Sequence, residues 1–132
     1  MRLVIPVAVL AFGAASVAQA MPAGDSRLLR FPDICGDAIA FVQAGDIYTV
    51  AANGGTALRL TSHPGQELYP KFSPDCRTIA FSAEYDGTRQ VHVIPASGGE
   101  PKQLTWYNDI GAQPVRGGTD YRVLDWTPDG RN

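Results

Sequence analysis

Histidine and cysteine are scarce in this chain, at two residues each, and that scarcity removes several chemistries at once. His63 and His92, set against Cys35 and Cys76, show none of the spacings that build a zinc site. Ser62 adjoins His63, but neighbouring side chains rarely aim at each other, and no Gly-x-Ser-x-Gly elbow is present to expose a nucleophile. Lysine and arginine occur scattered and the net charge is −2, so there is no basic stripe for nucleic acid and no basic amphipathic helix for a membrane surface. Beyond residue 20 no apolar run is long enough to span a bilayer. No window of eleven or more residues there carries a helical apolar period. We expect no catalytic residue, cofactor or metal in this chain.

Glycine and proline, by contrast, are abundant at 14 and 10, and they sit at regular intervals between short apolar strands. That arrangement favours an all-β protein with many turns over disorder. Gly54-Gly55 and Gly98-Gly99 follow strands but open no helix, so they read as hairpin turns and not as phosphate cradles.

The spacing of these elements is a repeat. The stretch YPKFSPDCRTIAF (69–81) is matched by FPDICGDAIAF (31–41), both ending in Ile-Ala-Phe, and a third copy begins at Leu124 as LDWTPDGR. Gly55 and Gly99 correspond, as do Leu60-Thr61 and Leu104-Thr105. Phe41 and Phe81 are 40 residues apart, whereas Gly55 and Gly99 are 44 apart, so the second copy carries four extra residues near Asp86-Gly87. An insertion at a turn is what a repeat of hairpins tolerates. Strands are expected at 28–31, 38–42, 47–51 and 57–60, then at 68–72, 78–83, 90–95 and 102–105, with a turn at each Pro-Asp step. Four antiparallel strands per repeat of about 40 to 45 residues is the signature of a β-propeller blade. The chain thus reads as two four-stranded blades, 27–62 and 67–106, and the first strand of a third, 122–132. A propeller typically closes with about 4 to 8 blades, so we expect an incomplete propeller from the N-terminal part of a longer protein.

Residues 1–20 have a different character. Arg2, an apolar run from Leu3 to Ala18 and the Ala18-Gln19-Ala20 step read as a secretory signal peptide cut after Ala20, which places the mature chain in the periplasm or outside the cell.

The repeat phrases carry a family resemblance. Aromatic-Ser-Pro-Asp, Ile-Ala-Phe, Val-His-Val-Ile-Pro-Ala-Ser-Gly-Gly and Leu-Thr resemble the TolB-type propeller repeat. FPDICGDAIAFVQAGDIYTV, followed by LTSHPGQELYPKFSPD and SAEYDGTRQVHVIPASGGEPKQLT, more narrowly resembles the N-terminal propeller of tricorn protease homologues. The likeness covers about 27–131. It implies a large exported serine peptidase related to C-terminal-processing peptidases, with its catalytic Ser and His in downstream domains. The propeller would then be a non-catalytic gate or scaffold for peptide access, its partners being peptide or protein substrate and the later domains of the same polypeptide. The alternative is a TolB-like periplasmic protein-binding propeller without enzymatic activity. A weaker third reading places the propeller before an α/β-hydrolase domain.

Individual motif residues read as structural. Asp75 and Asp129 should hold tight turns through their own carboxylates. Phe72 and Trp126 should pack between blades, and His92, alternating with Val91 and Val93, should face solvent or a blade face. Cys76 stands where the third copy has Gly130, so a positive φ is expected there at a cost on the order of 1 kcal/mol. Cys35 lies in the matching turn of the first copy. Equivalent positions on stacked sheets are about 10 Å apart, beyond the reach of a disulfide, so two free thiols are expected.

One segment exceeds what the repeat needs. Thr61 to Phe72 spans 11 residues but Thr105 to Trp126 spans 21, and long loops bearing aromatic and charged residues on a rigid scaffold are where binding tends to occur. Trp106, Tyr107, Asp109, Arg116 and Tyr121 are therefore the candidate contacts for peptide or a neighbouring domain.

Overall fold

A computed structural model describes residues 28–106 and 122–131. Eight strands follow one another: β1 (Arg30–Cys35), β2 (Ala38–Gln43), β3 (Asp46–Ala51), β4 (Leu58–Arg59), β5 (Glu67–Phe72), β6 (Thr78–Ala83), β7 (Gln90–Pro95) and β8 (Lys102–Gln103). They form two antiparallel four-stranded sheets, each in sequence order. The described residues contain no α-helix. β1 packs against β5, while β4 and β8 lie at the far edges, so the sheets are two blades splayed outward from their first strands.

Strand alternation sets which side chains fill the seam between the blades. In the first blade Val42 pairs across to Ile47, which puts both beside Ala40 on the side facing the second blade. In the second, Ile79 lies opposite both Phe72 and Ile94, and Phe81 and Ala83 continue that face. These eight side chains form the core cluster, each contributing on the order of 1 to 3 kcal/mol of apolar burial according to size.

Two features differ from the expectations above. First, Phe31-Pro32-Asp33 is no turn. β1 runs through it, and its register shifts between Arg30 and Asp33 as that of β5 shifts between Leu68 and Lys71. Phe31 and Tyr69 take φ of 52° and 57° inside these bulges, so Phe31-Pro32 corresponds to Tyr69-Pro70, and the turn of the first blade falls at Gly36-Asp37.

Second, Cys35 and Cys76 form a disulfide with Cα atoms 5.6 Å apart, and no described cysteine is free. The expectation of free thiols treated the two positions as equivalent. They are not: Cys35 ends β1, at the repeat position of Ser73, and the longer 73–77 turn carries Cys76 back across the seam to it. Cys76 does take the expected positive φ, 61°, against 67° at Gly130.

Of the two settings expected for His92, solvent or a blade face, the second holds, and the residue is 2% exposed. It lies on the seam face directly opposite Phe81, with ring centroids 5.7 Å apart, and does not reach solvent.

The third copy repeats the turn of the second. Ser73 Oγ donates to Asp75 Oδ1 at 2.6 Å and Arg77 N donates to the same oxygen at 3.1 Å; Thr127 Oγ1 and Arg131 N do so to Asp129 at 2.6 and 3.2 Å. These hydrogen bonds, the hydroxyl's first, hold both carboxyls below their ordinary value. Trp126 reaches back over the second blade, its Nε1 donating to Lys71 O at 2.9 Å.

One glycine is dictated by close approach. A Cβ at Gly65, in the connection between blades, would sit 1.9 Å from the Glu84 carbonyl oxygen. Gly65→Ala should therefore cost about 1 to 3 kcal/mol by urea unfolding, as overpacking does. Reducing the disulfide should lower stability by about 2 to 4 kcal/mol in the same assay.

Candidate functional site

Two polar or aromatic groupings stand out from the packing, one along the inner edge of the blades and one across the seam. At the inner edge, the bulges of β1 and β5 bring Phe31 and Tyr69 together, ring centroids 4.4 Å apart. The Arg122 guanidinium lies over the other part of this column, its Cζ 4.3 Å from the Tyr69 ring centroid, a cation–π contact. Below it, Asp33 bridges the blades. Its carboxylate accepts from Lys71 Nζ and from Phe72 N, both at 2.8 Å.

Across the seam the focus is Glu67, the first residue of β5 and 0% exposed. Its backbone N–H donates to Gly45 O in the β2–β3 hairpin at 2.9 Å. Its carboxylate accepts from the Thr61 hydroxyl, which follows β4, and from Tyr85 OH at 2.9 Å. Thr61 Oγ1 in turn accepts from Ile47 N at 2.8 Å. Nearby Asp46, also buried, pairs with Arg59 Nη2 at 2.7 Å. Burial pushes the Glu67 carboxyl above its ordinary value, and the hydrogen bonds from Thr61 and Tyr85 work against that rise. Burial, then the Glu67 charge, raises the Tyr85 phenol, and burial lowers His92.

The same positions in the second blade carry neutral partners. Thr105 Oγ1 accepts from Val91 N at 2.9 Å and donates to Gln90 Oε1 at 2.7 Å, both within its own blade. The recurring Leu-Thr step has a physical reason in both copies. Leu60 N and Leu104 N close the outer ladder onto Ile47 O and Val91 O, each at 2.8 Å, and the threonine hydroxyl satisfies the next donor inward.

The two histidines meet around Tyr85. His63 lies 4.2 Å from its ring and His92 4.6 Å, while His63 Nδ1 accepts from Gly65 N at 3.0 Å. Leu60, His63, Pro64, Tyr85, Glu100 and Pro101 help to line a cleft of about 360 Å³ above them. Among the described residues no His, Cys, Asp and Glu cluster could hold a metal ion. Of the loop residues singled out from sequence, Trp106 is 71% exposed, and Tyr107, Asp109, Arg116 and Tyr121 lie outside the described residues, as does the segment 1–20. Sequence reasoning missed the roles of Glu67, Tyr85 and Asp33. Only the Leu-Thr step and the doubled aromatic-Pro phrase could have signalled that something was anchored there.

Comparison with known proteins agrees with the blade geometry. Residues 26–132 match the family described as the tricorn protease N-terminal beta propeller domain. This chain belongs to that family. Tricorn protease homolog 1 of Streptomyces coelicolor is 37% identical over 103 residues, covering 78% of this chain and 9% of the homologue. In the crystal structure of the tricorn protease the matching region is 31% identical with a TM-score of 0.54, covering 59% of this chain and 8% of that one. The Tol-Pal system protein TolB of Bordetella pertussis is 38% identical over 55 residues, 41% of this chain and 13% of TolB. The chain thus spans less than a tenth of the first curated tricorn relatives.

The buried pair of titrating groups in this propeller gives opposite pH responses. A carboxyl raised on folding stabilises the fold most at low pH, and that contribution fades as pH rises through its folded value; a histidine lowered on folding contributes above its ordinary value and is lost as pH falls below it. Relative to wild type, Glu67→Gln should therefore gain stability as pH rises from 4 to 8, and His92→Phe should gain as pH falls below about 6.5. Urea unfolding across that range reads both. Glu67→Ala should cost on the order of 3 kcal/mol by leaving the buried Thr61 hydroxyl and the half-buried Tyr85 hydroxyl without their acceptor.

Proposed function

We propose that this chain is the opening part of a non-catalytic propeller that scaffolds and gates peptide access in an exported tricorn-like serine peptidase. The observation that carries the reading is the inner-edge column of Phe31, Tyr69 and Arg122, which presents aromatic faces and a cation along the side where the blades converge. Such a surface can hold extended peptide loosely without cutting it. Membership of the tricorn propeller family supports the assignment, since proteins matching this chain carry most of their length elsewhere.

Export is supported by two independent features. The first twenty residues have the pattern of a cleaved signal, and a disulfide between blades is a feature of proteins that fold in oxidising compartments. Trp106, Tyr107, Asp109, Arg116 and Tyr121, singled out from the sequence after β8, are the proposed contacts for peptide or a neighbouring domain. The strong exposure of Trp106 is compatible with that role.

In the full-length protein, Phe31→Ala with Tyr69→Ala should raise KM for long peptides several-fold while leaving hydrolysis of a dipeptide-sized chromogenic substrate unchanged. Trp106→Ala and Arg116→Ala should behave alike, with stability unaltered. Equal effects on long and short substrates, or none on either, would remove the gating reading. The similarity to TolB favours a second reading, a propeller that docks envelope proteins. Under it the full-length protein shows no peptidase activity, and the same substitutions weaken capture of a protein partner.

A further inference from the structure

We propose that the Cys35–Cys76 bond is an exchangeable latch on the first seam, set and released by a dithiol protein whose reactive thiol reaches Cys76 through the cleft between the blades. The proposal rests on the seam alone and not on the peptidase reading. Three observations converge on it.

The first is access. Cys76 lines a cleft of about 340 Å³ between the blades, whose walls include Ala38, Ala51, Leu58, Phe72 and Ala96, and Leu58 is 56% exposed. Small side chains on both sides leave room for an incoming thiol, and both cysteines are only half-buried. The second is backbone. Cys76 holds φ at 61° where the next copy places Gly130 at 67°, so a side chain is retained at a position that favours glycine. The turn does not require it there, because the Thr127–Asp129 and Arg131–Asp129 bonds form around Gly130 the same turn that Ser73 and Arg77 form with Asp75. The third is redundancy. Asp33 bonds Lys71 and Phe72 at the same inner end of the seam, and Glu67 ties the hairpin and Thr61 of the first blade to the second. Opening the disulfide therefore loosens the end of β1 and the 73–77 turn while the blades stay docked.

The exchange balances without another reagent. A thiolate of the partner attacks Cys76 Sγ, the S–S bond breaks, and Cys35 leaves as a thiolate that takes a proton from water. The partner's second thiol, as thiolate, then attacks the mixed disulfide and releases Cys76. The protein gains two electrons and two protons as its dithiol, and the partner is oxidised to its disulfide; the reverse sequence sets the latch.

The test uses the full oxidised chain in native buffer with a thioredoxin-fold dithiol protein, and with its variant lacking the resolving cysteine. We expect complete reduction without denaturant, a mixed disulfide trapped on Cys76, and amide exchange at 34–36 and 73–77 faster by at least about tenfold, with β6 and β7 unchanged. Cys76→Gly should show the same local exchange without any reductant, and Cys35→Ser should match it. Reduction that proceeds only at the rate of global unfolding would overturn the proposal. So would a mixed disulfide on Cys35, or a Cys76→Gly chain whose seam is as protected as that of the oxidised protein.

Discussion

A single buried carboxylate sets the relation of the two blades. Glu67 begins β5 with its N–H on Gly45 O and its carboxylate under the hydroxyls of Thr61 and Tyr85. Desolvating a carboxyl is costly unless its oxygens are satisfied, and here the satisfying groups come from both blades. The blades can therefore dock in one register only, because a slip of β5 by one residue would turn Glu67 to the other face and leave Thr61 and Tyr85 unpaired. Everything else along the seam follows from that register. It places Phe72, Ile79, Phe81 and Ile94 against Ala40, Val42 and Ile47, and it brings Asp33 within reach of Lys71 and Phe72 N.

The repeat supplies the frame and its exceptions supply the specificity. Both copies use Leu-Thr to close the outer strand, yet Thr61 donates across the seam and Thr105 donates to Gln90 in its own blade. Asp46 and Gln90 occupy the same position, the first paired with Arg59 and the second accepting from the Thr105 hydroxyl. At the inner edge the aromatic-Pro bulge recurs in the first two copies, and the third presents Arg122 against Tyr69 instead. Identical blades would stack interchangeably; these differences assign each blade its place.

Much of the frame was legible in the sequence because glycine, Pro-Asp and Ile-Ala-Phe steps recur at fixed offsets. Strands 78–83 and 90–95 fall where alternation puts them, and Asp75 and Asp129 hold the turns their positions imply. The first strand was placed too early, because Pro32-Asp33 looks like the later Pro-Asp turns although Pro32 corresponds to Pro70 inside a bulge. That same misalignment set Cys35 against Cys76 as equivalents and hid the disulfide. The choice between solvent and a blade face for His92 stayed open because alternation tells which residues share a face but not which face meets another sheet. Glu67 was invisible for a similar reason: a lone glutamate before a strand carries no pattern, and its partners are 6 and 18 residues away in loops.

The most direct test of this account is a double-mutant cycle across the seam, with Thr61→Val in the first blade and Tyr85→Phe in the second, read by urea unfolding of the oxidised chain. Because both hydroxyls share the Glu67 carboxylate, the two losses should be non-additive by about 0.5 kcal/mol or more. The coupling should vanish in a Glu67→Gln background. Additive losses in the wild-type background would contradict the claim that this carboxylate joins the blades.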